Sequence, residues 1–384
     1  MNRHGYTILK GYLLNNDIMS LRVIYLADFE VPSKSASSIH VMRMCEALTQ
    51  LGYDVTLVAI RSNEMTNAKE LLKDYGVLFP FSIRLIYLPR IPGRTFIFAC
   101  ISFFYLLIAA PELVYSRSVP GAALSVIMHQ VILEMHRPVW EYGKIYAYLF
   151  RRTIRCKHLK RIVLISERLK QIYLTRYPAD RYLVAHDAAA GFGPDEAGVK
   201  VFERGELRIG YTGGMYKGRG LDLIVKIAEQ MPESTFHIAG GTADDLRNVS
   251  GAEIPENVYC YGYLKPSCVS GFLKKMDVLI APYQKDTETI GGTRSADYMS
   301  PLKIFEYMSS GKPIVASDLP VLREVLDESC SILVPPQATN CWVAAIKSLK
   351  NREKADNLAE SAYKKFSENY TWTARAKRIL NAQL

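Results

Sequence analysis

The sequence predicts an α/β protein with two doubly wound, Rossmann-like parallel-sheet domains that face a cleft. Short and almost wholly apolar strands alternate with helices, as in "LRVIYLAD", "SIHVMRMCEALTQLG" and "DVTLVAI". Strands that are apolar along their whole length are typical of parallel sheets covered by helices on both faces. Small residues, Gly and Pro then cluster in "HDAAAGFGPDEAG" (186–198), which predicts a linker. The same alternation restarts after it with "LRIGYTG", "TFHIAGG", "DVLIAPY" and "PIVASD".

The 384 residues are enough for two or three domains. We place the first domain at 1–188 and the second at 189–369. Residues 1–18 have no long apolar run, so we expect no signal peptide there and interpret them as a disordered extension or as an artefact of start-codon choice. Seven scattered Cys without a CxxC pair favour a reducing, cytoplasmic compartment.

The net charge of +10 favours an anionic partner: a phosphorylated substrate, a membrane surface or nucleic acid. The alternative is a protein that is merely basic. The basic run "RRTIRCKHLKR" (151–161) lacks interleaved aromatics and a nucleic-acid motif, so we expect no nucleic acid there. It is either a solvated helix face or a contact for anionic lipid head groups.

One strongly apolar run, "FIFACISFFYLLIAA" (96–110), has 15 residues. That is shorter than the roughly 18–20 residues that a membrane-spanning helix needs. We interpret it as a buried helix, with a helix in the membrane interface as the alternative.

The stretch 297–320, "DYMSPLKIFEYMSSGKPIVASDLP", predicts a helix followed by a strand. Ser300 suits an N-cap and Pro301 the first helical position. At 100° per residue, Lys303 and Glu306 leave the apolar face. They are a surface pair in one interpretation. In the other, Arg294, Lys303 and the free N–H groups at the helix start bind phosphate and Glu306 binds sugar hydroxyls, which indicates a nucleotide.

The stretch "YTGGMYKGRGLDL" (211–223) places four glycines between a strand and a helix, next to Lys217 and Arg219. Glycines let the backbone approach a ligand and turn its N–H groups inward, so the loop predicts a phosphate site. It matches neither the GxGxxG fingerprint nor a P-loop, and a flexible surface turn is the alternative.

Two weaker signals lie in the first domain. Serines including Ser37 and Ser38 precede or open the first helix near His40, where they are either ligands or ordinary caps. In "LEMHRP" (133–138), Glu134 and His136 follow an apolar segment, and His136 is either structural or catalytic. The sequence has no DxD, HExxH or Cys/His cluster, so we expect no metal and no cofactor.

These residues together resemble the bacterial glycosyltransferases of family 4, which are retaining enzymes with the GT-B fold. The resemblance runs from "RVIYLADF" to "YTWTARAKRIL". Its most specific part is "SPLKIFEYMSSGKPIVASDLPVLREVL" (300–326), which is similar to the family's donor-site helix and following strand. "GYTGGMYKGRGLDLI" resembles the family's phosphate loop, and "SASSIHVMRMCEAL" its first acceptor-domain loop and helix. The resemblance also implies that residues 370–384 form a last helix that crosses back to the first domain.

The resemblance implies roles for individual residues. Catalytic roles fall on His136, Glu306 and Arg219. Donor binding falls on Gly213, Gly214, Lys217, Arg219, Arg294, Tyr298, Ser300, Leu302, Lys303 and Glu306, and acceptor binding on Ser37, Ser38 and His40. Two positions depart from the family: Tyr298 stands where the first glutamate of a two-glutamate motif is expected, and Gly214 where the phosphate loop has an arginine. Lys217 or Arg294 then supplies the missing charge.

The implied function is transfer of a sugar, with retention, from a UDP- or GDP-sugar to a hydroxyl of a glycan or lipid-linked acceptor. The implied type is a hexosyltransferase of surface polysaccharide biosynthesis, with peripheral membrane contact. Two alternatives stay open: a nucleotide-sugar epimerase of the same fold, and a non-catalytic subunit that binds nucleotide-sugar.

Overall fold

The computed structural model describes residues 20–33, 35–62, 67–191, 199–202, 205–285 and 296–381. The predicted N-terminal extension and Arg294 lie outside these ranges.

The first domain contains a seven-stranded parallel sheet in the order β3-β2-β1-β4-β5-β6-β7. Its strands are β1 Arg22–Val31, β2 Asp54–Arg61, β3 Ser82–Ile86, β4 Leu113–Ser116, β5 Gln130–Met135, β6 Leu159–Leu164 and β7 Tyr182–Val184. Its helices are α1 Ala36–Gln50, α2 Ala68–Asp74, α3 Arg94–Ala109, α4 Val119–Ser125, α5 Lys144–Thr153 and α6 Glu167–Arg176, with a 3₁₀ turn at Val139–Tyr142.

The second domain contains a six-stranded parallel sheet in the order β10-β9-β8-β11-β12-β13. Its strands are β8 Arg208–Thr212, β9 Thr235–Ala239, β10 Val258–Cys260, β11 Val278–Ala281, β12 Ile314–Ser317 and β13 Ile332–Val334. Its helices are α7 Leu221–Glu229, α8 Ala243–Ser250, α9 Pro266–Lys274, α10 Leu302–Ser309, α11 Thr339–Ser348 and α12 Arg352–Asn369. The predicted fold class, two doubly wound parallel-sheet domains of GT-B type, is confirmed.

Each sheet separates two apolar clusters, because its side chains alternate between the two faces. In both sheets the strand order reverses between two central neighbours, β1 and β4 in the first and β8 and β11 in the second. Doubly wound sheets bind ligands at the carboxyl ends of the strands beside such a reversal.

The apolar run 96–110 forms α3, but the interpretation as a buried helix is wrong for half of its surface. Phe98 and Leu106 are buried against the sheet, whereas Phe104 is 66% and Ile108 is 85% exposed. The run is apolar on all sides, and the sheet covers only one of them. In the described part of the chain, no helix is long and apolar enough to cross a membrane.

The chain passes between the domains at Ala188 and Ala189, which belong to the cores of the first and the second domain, respectively. Polar contacts join the domains beside this crossing. The Ser166 hydroxyl donates to the Tyr298 carbonyl at 2.8 Å. The Glu324 carboxylate accepts from the first backbone N–H groups of α6 and contacts His186 at 2.8 Å.

A last helix, α13 (Trp372–Asn381), packs on α1 of the first domain. Its side chains Trp372, Ala376 and Ile379 are buried within the core of that domain. The chain therefore completes its first domain with residues that follow the second.

We expect Trp372→Ala to destabilise the protein by about 3–5 kcal/mol, because a large aromatic side chain is deleted from a filled core. The matched control is Tyr363→Ala on α12, since that ring is 48% exposed. Urea unfolding, monitored by circular dichroism, measures the free energy of unfolding of both variants. Equal effects of the two variants would contradict the core role of α13.

Candidate functional site

The loop after β8 forms one wall of the candidate site. Gly213 has φ of 136°, a conformation that glycine adopts freely and other residues rarely do. A Cβ on Gly213 would lie 2.8 Å from the Nζ atom of Lys303, so the missing side chain makes room for that ammonium group. At the end of the loop, Gly220 lies so close to Pro282 that a Cβ would fall 1.9 Å from the Pro282 carbonyl oxygen. The glycine pattern is therefore set by close backbone packing.

Lys303 lies in the first turn of α10, and its side chain is buried. Its Nζ atom is 3.8 Å from the ring centre of Tyr211 and 5.0 Å from that of Tyr283. Arg219 stacks on the same Tyr283 ring at 5.1 Å. Burial and then the charge of Arg219 hold the pKa of Lys303 well below its usual value. Lys303 and Arg219 thus lie against one tyrosine ring, and an anion bound beside them would stabilise the charged form of Lys303.

Glu306 follows one turn later on α10 and is half-buried. Burial raises the pKa of Glu306, while Lys303 and then Arg43, a residue of α1 in the first domain, act in the opposite direction. Since Arg43 influences it from across the domains, Glu306 faces the cleft. The surface-pair interpretation of Lys303 and Glu306 is wrong, because neither side chain is on an exposed face.

The start of α10 differs from the prediction. Pro301 is the N-cap, no side chain caps the helix, and the first helical residue is Leu302. The predicted N-cap Ser300 instead accepts a hydrogen bond from the Asp187 N–H at 2.8 Å. The Ser300 hydroxyl is therefore used to join the domains, and the helix start keeps its amide groups uncapped by side chains.

Other predicted donor residues lie in different surroundings. Tyr298 is buried in the core of the first domain, and its hydroxyl donates to Glu141 at 3.0 Å. It is thus committed to the contact between domains. Lys217 is exposed, and Gly214 lies under the ring of Tyr216, which a Cβ would meet at 2.4 Å. These donor roles stay predictions.

The other wall is a buried polar network at the carboxyl end of β5. The Glu134 carboxylate contacts His136 Nε2 at 2.5 Å, His40 Nε2 at 2.8 Å and Arg375 Nη2 at 3.0 Å. His40 Nδ1 lies 3.0 Å from Asp187. The imidazole rings of His40 and His136 meet edge to face at 4.8 Å. The predicted residues His40 and His136 are therefore brought together, with Glu134 between them.

Burial opposes the charge on Glu134, but Arg375 and His40 outweigh it and hold the pKa of Glu134 well below its usual value. Burial lowers the pKa of His136 to about 4, and the positive charge of Arg117 adds to this effect. His136 is thus neutral near pH 7, and its Nε2–H donates to the Glu134 carboxylate.

Asp28 lies near the carboxyl end of β1, beside the strand-order reversal of the first sheet. Burial raises the pKa of Asp28 to about 6, although a hydrogen bond from Ser118 and the charge of Arg117 oppose the shift. A carboxyl group that titrates near neutral pH at such an edge is suited to accept a proton from a substrate hydroxyl.

The predicted acceptor serines are less suited to a ligand. Ser38 is buried, and its hydroxyl lies 2.5 Å from that of Tyr75. Its backbone N–H donates to Ser35, the true N-cap of α1. Ser37 is half-buried, and its carbonyl accepts from Arg117 at 3.2 Å. The cap of α1 is thus Ser35 and neither Ser37 nor Ser38, and the acceptor roles of Ser37 and Ser38 stay predictions.

His40, His136 and Asp187 also place potential metal-ligand atoms within 4.8 Å of one another. His40 Nδ1 is hydrogen-bonded to Asp187 and His136 Nε2 to Glu134, whereas His40 Nε2, 2.8 Å from Glu134, forms no hydrogen bond within the described ranges. The absence of a metal from the reaction stays a prediction.

Sequence patterns did not predict four residues of this site: Arg375, Asp187, Arg43 and Asp28. A signal existed for Arg375: Glu134 is a carboxylate within an apolar strand, and a buried charge needs a partner. The sequence did not show which of 48 Lys and Arg residues supplies it.

Residues 206–352 match the family model described as "Glycosyl transferases group 1". The match covers most of the second domain, with β8 to β13 and α10, and less than half of the chain. It assigns that domain to the glycosyltransferases.

The chain is similar to three proteins in particular. A putative teichuronic acid biosynthesis glycosyltransferase, TuaH of Bacillus subtilis (strain 168), is 30% identical over 114 residues, which are 29% of this chain and 27% of that protein. The chain thus matches about a quarter of the length of this curated relative. Sucrose-phosphate synthase of Thermosynechococcus elongatus has a TM-score of 0.69 at 15% identity, covering 94% of this chain and 98% of that chain. Anabaena HepE in complex with UDP and glucose has a TM-score of 0.67 at 11% identity, covering 94% and 98%.

We expect Asp28→Asn to raise the melting temperature more at pH 7.5 than at pH 4.5. The folded-state pKa of about 6 exceeds the usual aspartate value of 3.8, so the stability of the natural protein falls as pH rises through this interval. The side-chain amide of Asp28→Asn does not titrate, so the variant does not lose this stability as pH rises. Asp356→Asn, an exposed position on α12, is the control. A gain that is the same at both pH values would contradict the raised pKa.

Proposed function

We propose that the chain is a retaining glycosyltransferase that moves a sugar from a nucleoside diphosphate sugar to a hydroxyl group. The observation that carries this proposal is the pocket in which Lys303 is buried against Gly213 and two tyrosine rings, with Arg219 beside it. Two close cations that lack a carboxylate ion-pair partner among the described residues favour a diphosphate group as ligand.

The donor lies with its diphosphate between the loop at Gly213 and the uncapped start of α10. Amide groups at a helix start bind phosphate, and the helix dipole favours the negative charge. Glu306, one turn further, is then in place to accept hydrogen bonds from the ribose hydroxyls. UDP is the first nucleotide to test, because HepE of similar fold was solved with UDP, and GDP is the second.

In the reaction, the bond between the anomeric carbon and the diphosphate oxygen breaks, and a bond from that carbon to the acceptor oxygen forms. Lys303 and Arg219 stabilise the negative charge that develops on the diphosphate. The acceptor proton passes to the leaving phosphate or to Asp28. Retention requires that the acceptor attacks from the face that the diphosphate leaves. These cations do the work that a metal ion does in other enzymes, so we propose a metal-free reaction.

His136 lies beside the transferred sugar as a neutral group. Its Nε2–H is held by Glu134, so its Nδ1 is free of that contact and can accept a hydrogen bond from a sugar hydroxyl. This arrangement gives His136 a role in orienting the sugar.

The acceptor is a glycan or a lipid-linked glycan of a cell-surface polysaccharide, and the protein works at the cytoplasmic side of the membrane. The similarity of one segment to TuaH, a putative glycosyltransferase of teichuronic acid biosynthesis, supports this class of acceptor.

A thermal-shift screen against UDP-, GDP-, ADP- and dTDP-sugars, each with Mg²⁺ or with EDTA, tests the donor. A ligand that binds only the folded state raises the melting temperature. We expect a rise with UDP- or GDP-sugars that does not depend on Mg²⁺. No rise with any of the four would overturn the donor site.

Product analysis then separates the alternatives. Epimerisation of the donor without an acceptor would identify an isomerase, and donor binding without any turnover would identify a binding subunit.

We expect Lys303→Met to raise the melting temperature of the ligand-free protein and to remove the nucleotide-induced rise. The first effect follows because a buried cation is replaced by an apolar side chain of similar length. Lys226→Met, an exposed position on α7, is the control. A retained nucleotide effect in Lys303→Met would contradict the diphosphate assignment.

We expect Glu306→Ala to lower kcat/KM at least about a hundredfold while the protein stays folded. The lost interactions are those with the ribose. Glu360→Ala on the exposed face of α12 is the matched control. Normal kcat and KM in Glu306→Ala would remove this residue from the site.

A further inference from the structure

Three helices of the first domain, α3, α4 and α5, form a layer on one face of its sheet, and this layer has an apolar outer surface. On α3, one exposed stripe consists of Ile97, Ile101, Phe104 and Ile108. These positions are spaced by four, three and four residues, which places them on one side of the helix. On α5, Ile145 is 62% and Tyr148 is 57% exposed. The two helices touch where the Phe96 and Tyr146 rings lie 5.5 Å apart.

The same layer contains no carboxylate. The helices α3, α4 and α5 together have no Asp or Glu, although the chain has 38. Their charged residues are Arg94, Lys144, Arg151 and Arg152, all basic, and Arg94 is paired with Glu30 of β1 at 2.8 Å. An apolar surface with basic residues and without acidic ones is complementary to an anionic, partly apolar surface.

A basic cavity of about 610 Å³ opens at the end of α5. Its lining includes Arg151, Arg155, Arg176 and Arg181, against one carboxylate, Asp180. Arg181 donates to the carbonyls of Cys156 and Leu159, each at 2.7 Å, so it is fixed in place. Arg176 lies over the Trp140 ring at 4.7 Å.

Arg151 and Arg155 at the cavity mouth are exposed and have no acidic partner within the ranges that the structure describes. Four guanidinium groups around one cavity repel one another unless an anion lies between them. Guanidinium groups bind phosphate by paired hydrogen bonds, so phosphate is the group that fits.

The cavity continues the apolar surface. Tyr148 precedes Arg151 by three residues on α5, so the two lie on the same side of that helix. Arg155 follows just after the end of α5 and lines the same cavity as Arg151. An apolar stripe that leads into a phosphate cavity matches the order of groups in a phospholipid monolayer, where acyl chains lie below phosphate head groups.

We propose that this face binds an anionic membrane surface, with a lipid phosphate in the arginine cavity and the exposed side chains of α3 and α5 at the level of the acyl chains. The proposal does not depend on the glycosyl transfer proposed above. A second copy of the chain does not fit, because two such carboxylate-free basic layers would repel each other. Nucleic acid fits less well, because α3 offers it a wide apolar surface without charge.

Sedimentation of the full chain with vesicles tests the proposal. Vesicles of phosphatidylcholine alone are compared with vesicles containing phosphatidylglycerol, in 0.1 M salt. We expect binding to the anionic vesicles only. Arg151→Gln combined with Arg155→Gln should reduce the partition coefficient about 25-fold, since each lost cation near an anionic surface reduces binding about fivefold. Lys226→Gln combined with Lys364→Gln, two exposed lysines of the second domain, removes the same charge and should leave binding nearly unchanged.

Phe104→Ser combined with Ile108→Ser tests the apolar part and should reduce binding to anionic vesicles at least about tenfold. All variants change exposed side chains, and their melting temperatures and donor-induced shifts should equal those of the natural protein. Equal binding to neutral and anionic vesicles, or no binding to either, would overturn the proposal.

Two further probes distinguish other ligands. If inorganic phosphate raises the melting temperature through Arg151 and Arg155 while vesicles do not bind, the cavity takes free phosphate and the membrane proposal fails. If a 20-nucleotide single strand binds at the same salt and phosphatidylglycerol vesicles do not, the surface takes nucleic acid and the proposal also fails.

Discussion

Arg375 and Glu134 meet in the interior of the first domain, although 240 residues and a whole second domain separate them in the chain. Neither side chain is more than 2% exposed. A buried carboxylate without its cation costs several kcal/mol, so this contact has to form whenever the first domain is complete. Arg375 also donates to the His186 carbonyl at 2.8 Å, and thereby fixes the backbone where the chain leaves the domain. The orientation of His40 and His136 follows from the same carboxylate.

The two walls of the cleft differ in how their charged side chains are compensated. In the first domain, the Glu134 carboxylate is paired with the Arg375 guanidinium and contacts His40 and His136, so its charge is compensated without a ligand. In the second domain, Lys303 and Arg219 lie against aromatic rings and form no ion pair with a carboxylate among the described residues. Charges that are already paired hold their side chains in place, whereas cations without a carboxylate partner are stabilised most by a bound anion. This difference fits a protein in which the first domain orients the reacting groups and the second domain binds an anionic ligand.

Much of the fold could be predicted from the sequence, because apolar strands, glycine loops and the linker are local patterns. The glycine loop and α10 were located for the same reason, although the cap at Ser300 was not: its hydroxyl bonds to Asp187, a partner far away in the chain. The network around Glu134 could be located only in part, since the identity of its cation depends on where α13 packs. The sequence could not predict which side of α3 is exposed either, because a helix that is apolar all round does not reveal which side the sheet covers.

The return of α13 to the first domain has a consequence for synthesis on the ribosome. The first domain cannot bury Glu134 or cover His40 until residues 372–381 have left the exit tunnel. At about 5–20 residues per second, the second domain takes roughly ten to forty seconds to be made. During that time the nascent first domain exposes an apolar groove and an uncompensated carboxylate. The nascent chain is then a natural client for chaperones, and the two domains mature together and not in the order in which they are translated.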